Sequence, residues 1–509
     1  MSSITSSEHS KAPTLGGYAR RLSIKPKPSI TIHINNHYRS KVYTTGDEVS
    51  GYVAINPQTD VRFDTLQIAL LGTAKTRVDA VNIPQATAHT FLKLIMPIPE
   101  SSYPVPRVFE AGMNYTVPFT FVIPSTLTLG ACSHHVANES IQEHHVRLPP
   151  TVGSWEKDDF APNMSRVQYV IKARAYRDEE SGVSTKIIEA GREIRVLPAA
   201  PEDPPLNITK HDDLYTMSKS KTLRRTILSP KSGRVTITAQ QPGAAMMSPD
   251  GQTITSTTVP LDLEFEPASG DTPAPKVTGV SSKITAVTYF SAVGINHYPN
   301  LKNWRRSFGS EGRGSYSGTA SASTGSAGAV QWTRQLTAQA RRDSGYGSEG
   351  PSSSSSDTDH SGNRVTAALK KRKGEAASPI VHTARLRVPV QVPATKKTFV
   401  PTFHSCIASR VYVLWLTVSL SCGGGGTAHV TLGVPLQIGV TGATAVSSED
   451  RNAELPPSFQ EFEEAEADEY WRPRVLGLPS VEFDRSGAGA GAPPGYADLE
   501  YRRRTVAAH

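Results

Sequence analysis

The chain has 509 residues, 37 % of them hydrophobic, with 39 glycines and 38 prolines; this suffices for two domains with real cores but not for burial along its whole length. A formal charge of +8 is mild for this size, and without a recognisable basic module it excludes a nucleic-acid-binding reading. Three cysteines (Cys132, Cys406 and Cys422) are too few for a disulfide framework and point to a reducing compartment.

Residues 1–28 are Ser-, Lys- and Pro-rich with little to bury, so a disordered N-terminal arm is expected. The opening MSSITSSEHSKAPT has no apolar core, and no signal peptide is expected there. Strand signals start at residue 29. SITIHINN alternates apolar and polar residues, and KVYTTGDEVSGYVAI reads as a hairpin around Gly46-Asp47. FDTLQIALLG puts Leu66, Ile68 and Leu70 on one face. NYTVPFTFVIP puts Tyr115, Val117, Phe119, Phe121 and Ile123 on one face at a strict period of two. RVQYVIKARAY repeats the pattern with Val167, Tyr169, Ile171 and Ala173 inside. Nothing here sustains a helical period, so a sandwich or barrel is predicted up to residue 200.

The proline-rich PAAPEDPPLNI (198–208) marks a boundary, with a linker read over 201–229. A second β-series over 230–442 follows in GRVTITAQ, VPLDLEFEP and KITAVTYFSAVG, then ARLRVPVQVP, ASRVYVLWLTVSLS and AHVTLGVPLQIGV. VYVLWLTVSL is apolar on both faces, as in a central strand, and is too short to span a bilayer. Between these runs, residues 305–378 are Ser-, Gly- and Arg-rich with almost no aliphatic side chains. A disordered insertion is expected there, and a disordered tail over 443–509.

In order, YTTGDEVSGYVAI, FDTLQIALLGTAKT, YTVPFTFVIPSTL, HHVRLPPTVG and the run from DDFAPNM to VQYVIKARA resemble the fungal α-arrestins, as do KITAVTYFSA and FVPTFHSCIASRVYVLWLTVSL, ending at VPLQI. The resemblance covers roughly residues 29–200 and 230–440. It implies an all-β arrestin fold of two immunoglobulin-like β-sandwich domains joined by a short hinge, with no catalytic residue. The family's ligase-binding motif is PPxY, here Pro493-Pro494-Gly495-Tyr496. Independently of the resemblance, two prolines hold a segment already extended, so docking into the aromatic groove of a WW domain costs little backbone entropy. Tyr496 supplies a larger anchor. Leu455-Pro456-Pro457-Ser458-Phe459 resembles a second such site, but Phe459 lacks the hydroxyl, so it is expected to bind weakly or not at all.

The remaining motifs are weaker. Ser23 after Arg20-Arg21, and Ser307 after Arg305-Arg306, fit basophilic kinase sites, and Ser344 and Ser348 match a DSGxxS phosphodegron. Gly345-x-Gly347-x-x-Gly350 follows no strand and opens no helix, so it is not a dinucleotide loop. Lys370 to Lys373 reads as a solvated linker, with a nuclear signal or peripheral contact with acidic lipid as alternatives. The acidic run Glu461 to Glu469 keeps the tail soluble or folds back as a latch. Cys132, His134, His135, His144 and His145 have the composition of a zinc site. They lack its regular paired spacing and fall in an apparent long loop, so no metal or cofactor is expected. His404-Ser405-Cys406 suggests a base and a nucleophile, but adjacent residues on a strand face opposite ways, so no enzyme is expected.

The expected function is that of an adaptor. The arrestin domains bind a plasma-membrane transporter or receptor as cargo, and PPGY recruits a WW-domain HECT-type ubiquitin ligase, leading to cargo ubiquitination and endocytosis. The expected location is cytoplasmic, with peripheral recruitment to plasma membrane and endosomes. The alternative is an arrestin-like signalling scaffold at a seven-helix receptor, or a retromer-like sorting subunit, without ligase recruitment.

Overall fold

The period-two alternation becomes strand in the computed structural model, which describes residues 30–79, 84–178, 184–209, 211–226, 229–300, 304, 312–324, 330–336, 380–422 and 426–442. The protein is all-β over these residues, with helix confined to short pieces such as Glu139–His145. None of the described helices is long and apolar enough to cross a membrane.

Two sheets enclose a first core. One is formed by Ile30–Ile34, Glu48–Ile55 and Tyr115–Val122. The other runs Val42–Tyr43, Ser184–Val196, Ser165–Asp178, Thr65–Val78, Gln85–Met96. In Tyr115–Val122 the side chains of Val117, Phe119 and Phe121 are buried while Thr116, Pro118, Thr120 and Val122 are exposed. Leu66, Ile68, Leu70, Val167, Tyr169 and Ile171 join them in the same core. Burying each such large apolar side chain contributes about 1.5–3 kcal/mol. The Tyr169 hydroxyl, inside this core, donates to the Pro149 carbonyl at 2.6 Å, since an unpaired hydroxyl there would be costly.

The largest sheet has ten strands, built along the path Ser218–Arg224, Lys231–Ala239, Thr257–Pro267, Ile380–Gln391, Arg313–Thr324, Lys276–Ser291, Ala408–Ser421, Phe403–His404, with Thr333–Leu336 and Thr427–Leu436 pairing off it. It wraps a second core that includes Val235, Leu263, Phe265, Val388, Leu414 and Leu416. The Ala408–Ser421 strand is paired on both sides. Tyr412, Leu414 and Leu416 enter the second core, while Val411 and Val413 pack with Tyr215, Tyr289 and Trp304 in a third cluster. Its double-sided apolar character follows from that placement.

Three expectations are corrected. Gly46 does turn the chain, with φ +85° and the Asp47 amide donating to the Thr44 carbonyl. The flanking runs are not a hairpin, however: Val42–Tyr43 pairs in parallel with Ser184–Val196, and Glu48–Ile55 pairs in the other sheet. The segment read as a linker over 201–229 contains the strand Ser218–Arg224, which pairs with Lys231–Ala239. The segment read as a structureless insertion over 305–378 contains Arg313–Thr324, in ten-residue register with Lys276–Ser291, and Thr333–Leu336, paired with Ile380–Gln391. Arg313–Thr324 is held by backbone pairing and by neighbours' aromatic rings lying over its glycines, so it needs no aliphatic side chains of its own: a Cβ at Gly314 or Gly318 would meet Phe290 or Phe160 at under 3 Å.

The two cores also exchange side chains. Each core is completed by the other part of the chain. Phe160 is buried in the second core against Phe399, ring centroids 5.3 Å apart. Conversely, Val400, Phe403, Cys406, Ile407 and Ala408 belong to the first core, which residues 29–200 therefore do not make alone.

Candidate functional site

The junction between the two cores gathers most of the buried polar chemistry. Arg410 is fully buried at the start of its strand. Its Nε donates to Thr288 Oγ1 and its Nη1 to the Asp159 carbonyl, each at 2.8 Å, and Nη2 has no partner among the described residues. The buried Asp159 carboxylate accepts from the amides of Gly153 and Ala161. Next to it, the hydrogen bond from Lys397 and then that from the Phe160 amide hold the Asp158 carboxyl below its usual range. A cleft of about 720 Å³ opens beside this group, lined by Lys75, Arg77, Ala86, Ala88, Glu156 and Arg166 among others. Ala86 and Ala88 lie on Gln85–Met96, a strand paired on one side only among the described residues.

A second polar group lies where the segment 129–146 meets the turn ahead of Ala408–Ser421. A short 3-10 turn, Leu129–Ala131, ends at Cys132. Asn138 caps the following helix by accepting from the Ile141 amide at 3.0 Å, and Ile141 anchors that helix in the interior. The helix ends at His145, whose ring is thereby carried inward. Cys406 arrives from the far end of the chain, in the turn between Phe403–His404 and Ala408–Ser421. One donor atom from each of Cys132, His134, His145 and Cys406 lies within 4.8 Å of all the others. Cys132 Sγ is 3.5 Å from His145 Nδ1 and 3.8 Å from His134 Nε2. His134 Nδ1 lies 3.2 Å from the His135 carbonyl, and a proton on Nδ1 leaves Nε2 bare. The His134 ring is packed against Gly294, where a Cβ would come within 2.6 Å. His145 Nε2 has no hydrogen-bond partner among the described residues. Burial, reinforced by His134, lowers the His145 pKa to about 4. Burial and then the neighbouring Cys132 push the Cys406 thiol up to about 12.

The other histidines of the sequence cluster do something else. His135 is exposed. His144 Nδ1 donates to the Ser140 carbonyl at 2.7 Å, and its Nε2 is 3.5 Å from Asp203. Asp203 also receives Arg147 at 2.6 Å; burial raises its pKa, but the bonds from His144 and Arg147 outweigh that and lower it. His404 is held near pH 3 by burial and by His144, and its Nδ1 is 2.6 Å from Ser409 Oγ. His404 therefore serves Ser409, while Cys406 Sγ is 3.7 Å from the Ala131 carbonyl. The two do not form a nucleophile–base pair.

Sequence reasoning weighed a metal site in this loop and expected none. It joined His135 and His144 to the cluster and assigned Cys406 to an unrelated triplet. No local signal links Cys406 to Cys132, because the turn that carries it is placed by tertiary packing. The expected WW-binding residues Pro493, Pro494 and Tyr496, the degenerate Pro456, Pro457 and Phe459, the phosphorylation candidates Ser23, Ser307, Ser344 and Ser348, and the charge runs at 370–373 and 461–469 lie outside the described residues. No protein-family model matches the chain, and no curated protein sequence matches it.

Proposed function

We propose that the chain is a non-enzymatic, arrestin-like adaptor. In this reading two immunoglobulin-like β-sandwiches, one around each main core, hold an extended cytosolic segment of a membrane protein. Pro493-Pro494-Gly495-Tyr496 then brings a WW-domain HECT-type ubiquitin ligase to that cargo. The observation that carries the cargo half is the unpaired side of Gln85–Met96 next to the junction cleft. A strand with one open side offers main-chain donors and acceptors to an added peptide, and the cleft supplies both signs of charge through Lys75, Arg77, Arg166 and Glu156. The ligase half rests on the motif and on tethering, which raises the ligase's effective concentration at cargo lysines without any new contact.

The test is a pull-down of the full chain with isolated WW domains, together with cargo uptake in cells. Wild type binds, Tyr496→Ala does not, and uptake of the cargo stalls with it. Phe459→Tyr gains affinity by restoring the hydroxyl of the second site. A Tyr496→Ala protein that still binds WW domains and still supports uptake would instead favour the signalling-scaffold or sorting-subunit reading.

A further inference from the structure

We propose that Cys132, His134, His145 and Cys406 form a closed, structural zinc site that pins the turn before Ala408–Ser421 to the segment 129–146. This stands apart from the adaptor reading and does not depend on it.

The donor set, two sulfurs and two ring nitrogens within 4.8 Å of one another, is that of a two-sulfur, two-nitrogen zinc shell. Zinc holds thiolate at about 2.3 Å and imidazole nitrogen at about 2.0–2.1 Å, so in a tetrahedron sulfur and nitrogen stand roughly 3.5 Å apart. The measured separations from Cys132 Sγ are 3.5 Å to His145 and 3.8 Å to His134, with the whole set inside 4.8 Å. Calcium and magnesium require oxygen donors, which the set lacks. All four positions are filled by protein, and three of the four residues are buried. That fits a structural site, which leaves no open position for a substrate.

Around His134 the surroundings supply what such a site requires. His134 presents Nε2 because its Nδ1–H is directed at the His135 carbonyl, the outer contact that fixes a ligating histidine's tautomer. Gly294 leaves room for that ring and no more. Among the described residues, His145 Nε2 has no partner and Nδ1 meets only the Cys132 thiol. On binding, the Cys132 and Cys406 thiols each lose a proton to solvent and form a bond to the metal. One dication, two thiolates and two neutral imidazoles sum to zero charge, so the filled site can stay buried without a counter-ion.

The experiment uses the full chain without a polyhistidine tag, with zinc as the probe. Metal analysis after dialysis against zinc-buffered solution should give one zinc per chain. Cobalt substitution should give the intense visible bands of a tetrahedral site together with thiolate-to-metal charge transfer. Cys406→Ser should lower zinc affinity at least tenfold, and His135→Ala, altering the exposed neighbour, should leave it unchanged. Chelation should lower the thermal midpoint of wild type and leave Cys406→Ser unmoved. Three results would overturn the proposal: substoichiometric zinc in wild type, an octahedral cobalt spectrum without sulfur charge transfer, or a Cys132–Cys406 disulfide found by mass spectrometry of the unreduced chain. The cobalt spectrum is read on wild type, so it decides the matter even if Cys406→Ser fails to fold.

Discussion

Single residues in this protein are constrained mostly by what lies directly over them. Gly51 sits where Glu48–Ile55 pairs with Ile30–Ile34, and a Cβ there would fall 2.0 Å from the His33 carbonyl oxygen and 2.8 Å from the Phe119 ring. The obstacle on one side is backbone, which cannot rotate away. Gly51→Ala is therefore expected to destabilise by about 1–3 kcal/mol, the cost of overpacking a tight site, seen as a lower urea midpoint with an unchanged slope. In the sequence Gly51 sits inside a regular alternation, and nothing local marks it as a point of contact. Cys406 teaches the same lesson at the polar junction. Its sequence neighbours His404 and Ser405 invite a catalytic reading, yet the residues that meet its thiol are Ala131 and Cys132.

Strands were legible where they bury an apolar face and hidden where they do not. Arg313–Thr324 has the composition of a linker because Phe290 and Phe160 supply the bulk above Gly314 and Gly318, while hydroxyl pairs such as Thr285 with Thr319 at 3.1 Å line its exposed side. Gly318→Val should displace Phe160, whose φ is +58°, and lower the thermal midpoint; an unchanged midpoint would show that the strand does not bear on the Phe160 ring. The pair Ser165–Asp178 and Ser184–Val196 carries a surface charge cluster. Glu189 meets Lys186, Arg174 at 3.0 Å and Lys172 at 3.2 Å. The Lys186 bond first, opposed by burial and helped by Arg174 and Lys172, holds its carboxyl down to about 2 from 4.5. The folded value is the lower one, so the contribution is complete above about pH 4.5 and is lost as pH falls towards 2. The cluster is largely solvated, so Glu189→Gln should cost less than about 1 kcal/mol near neutral pH. The gap to wild type should close on acidification and shrink in 1 M salt.

At the scale of the whole molecule, the reciprocal exchange of side chains makes the two cores interdependent. Residues 30–209 alone would lack Val400, Phe403, Cys406, Ile407 and Ala408 from the first core, and would expose Phe160, which the second core buries. That fragment is expected to bind a hydrophobic dye and to melt without a cooperative transition, whereas the chain through residue 442 melts cooperatively. A cooperative, dye-free fragment would show that the first core closes without the second.

The sequence by itself determined the class of the fold. Alternation at a period of two is a property of each strand's own backbone, so it survives in the linear string, and the buried faces at Val117 to Ile123 and Val167 to Ala173 could be read from it. Tertiary structure alone decided which strands pair, as when the two sides of the Gly46 turn join different sheets. It also decided that glycine-rich Arg313–Thr324 is strand, and that Cys406 meets Cys132, His134 and His145. Each of these depends on groups brought together from distant parts of the chain, and the energy that selects them exists only once the cores have closed.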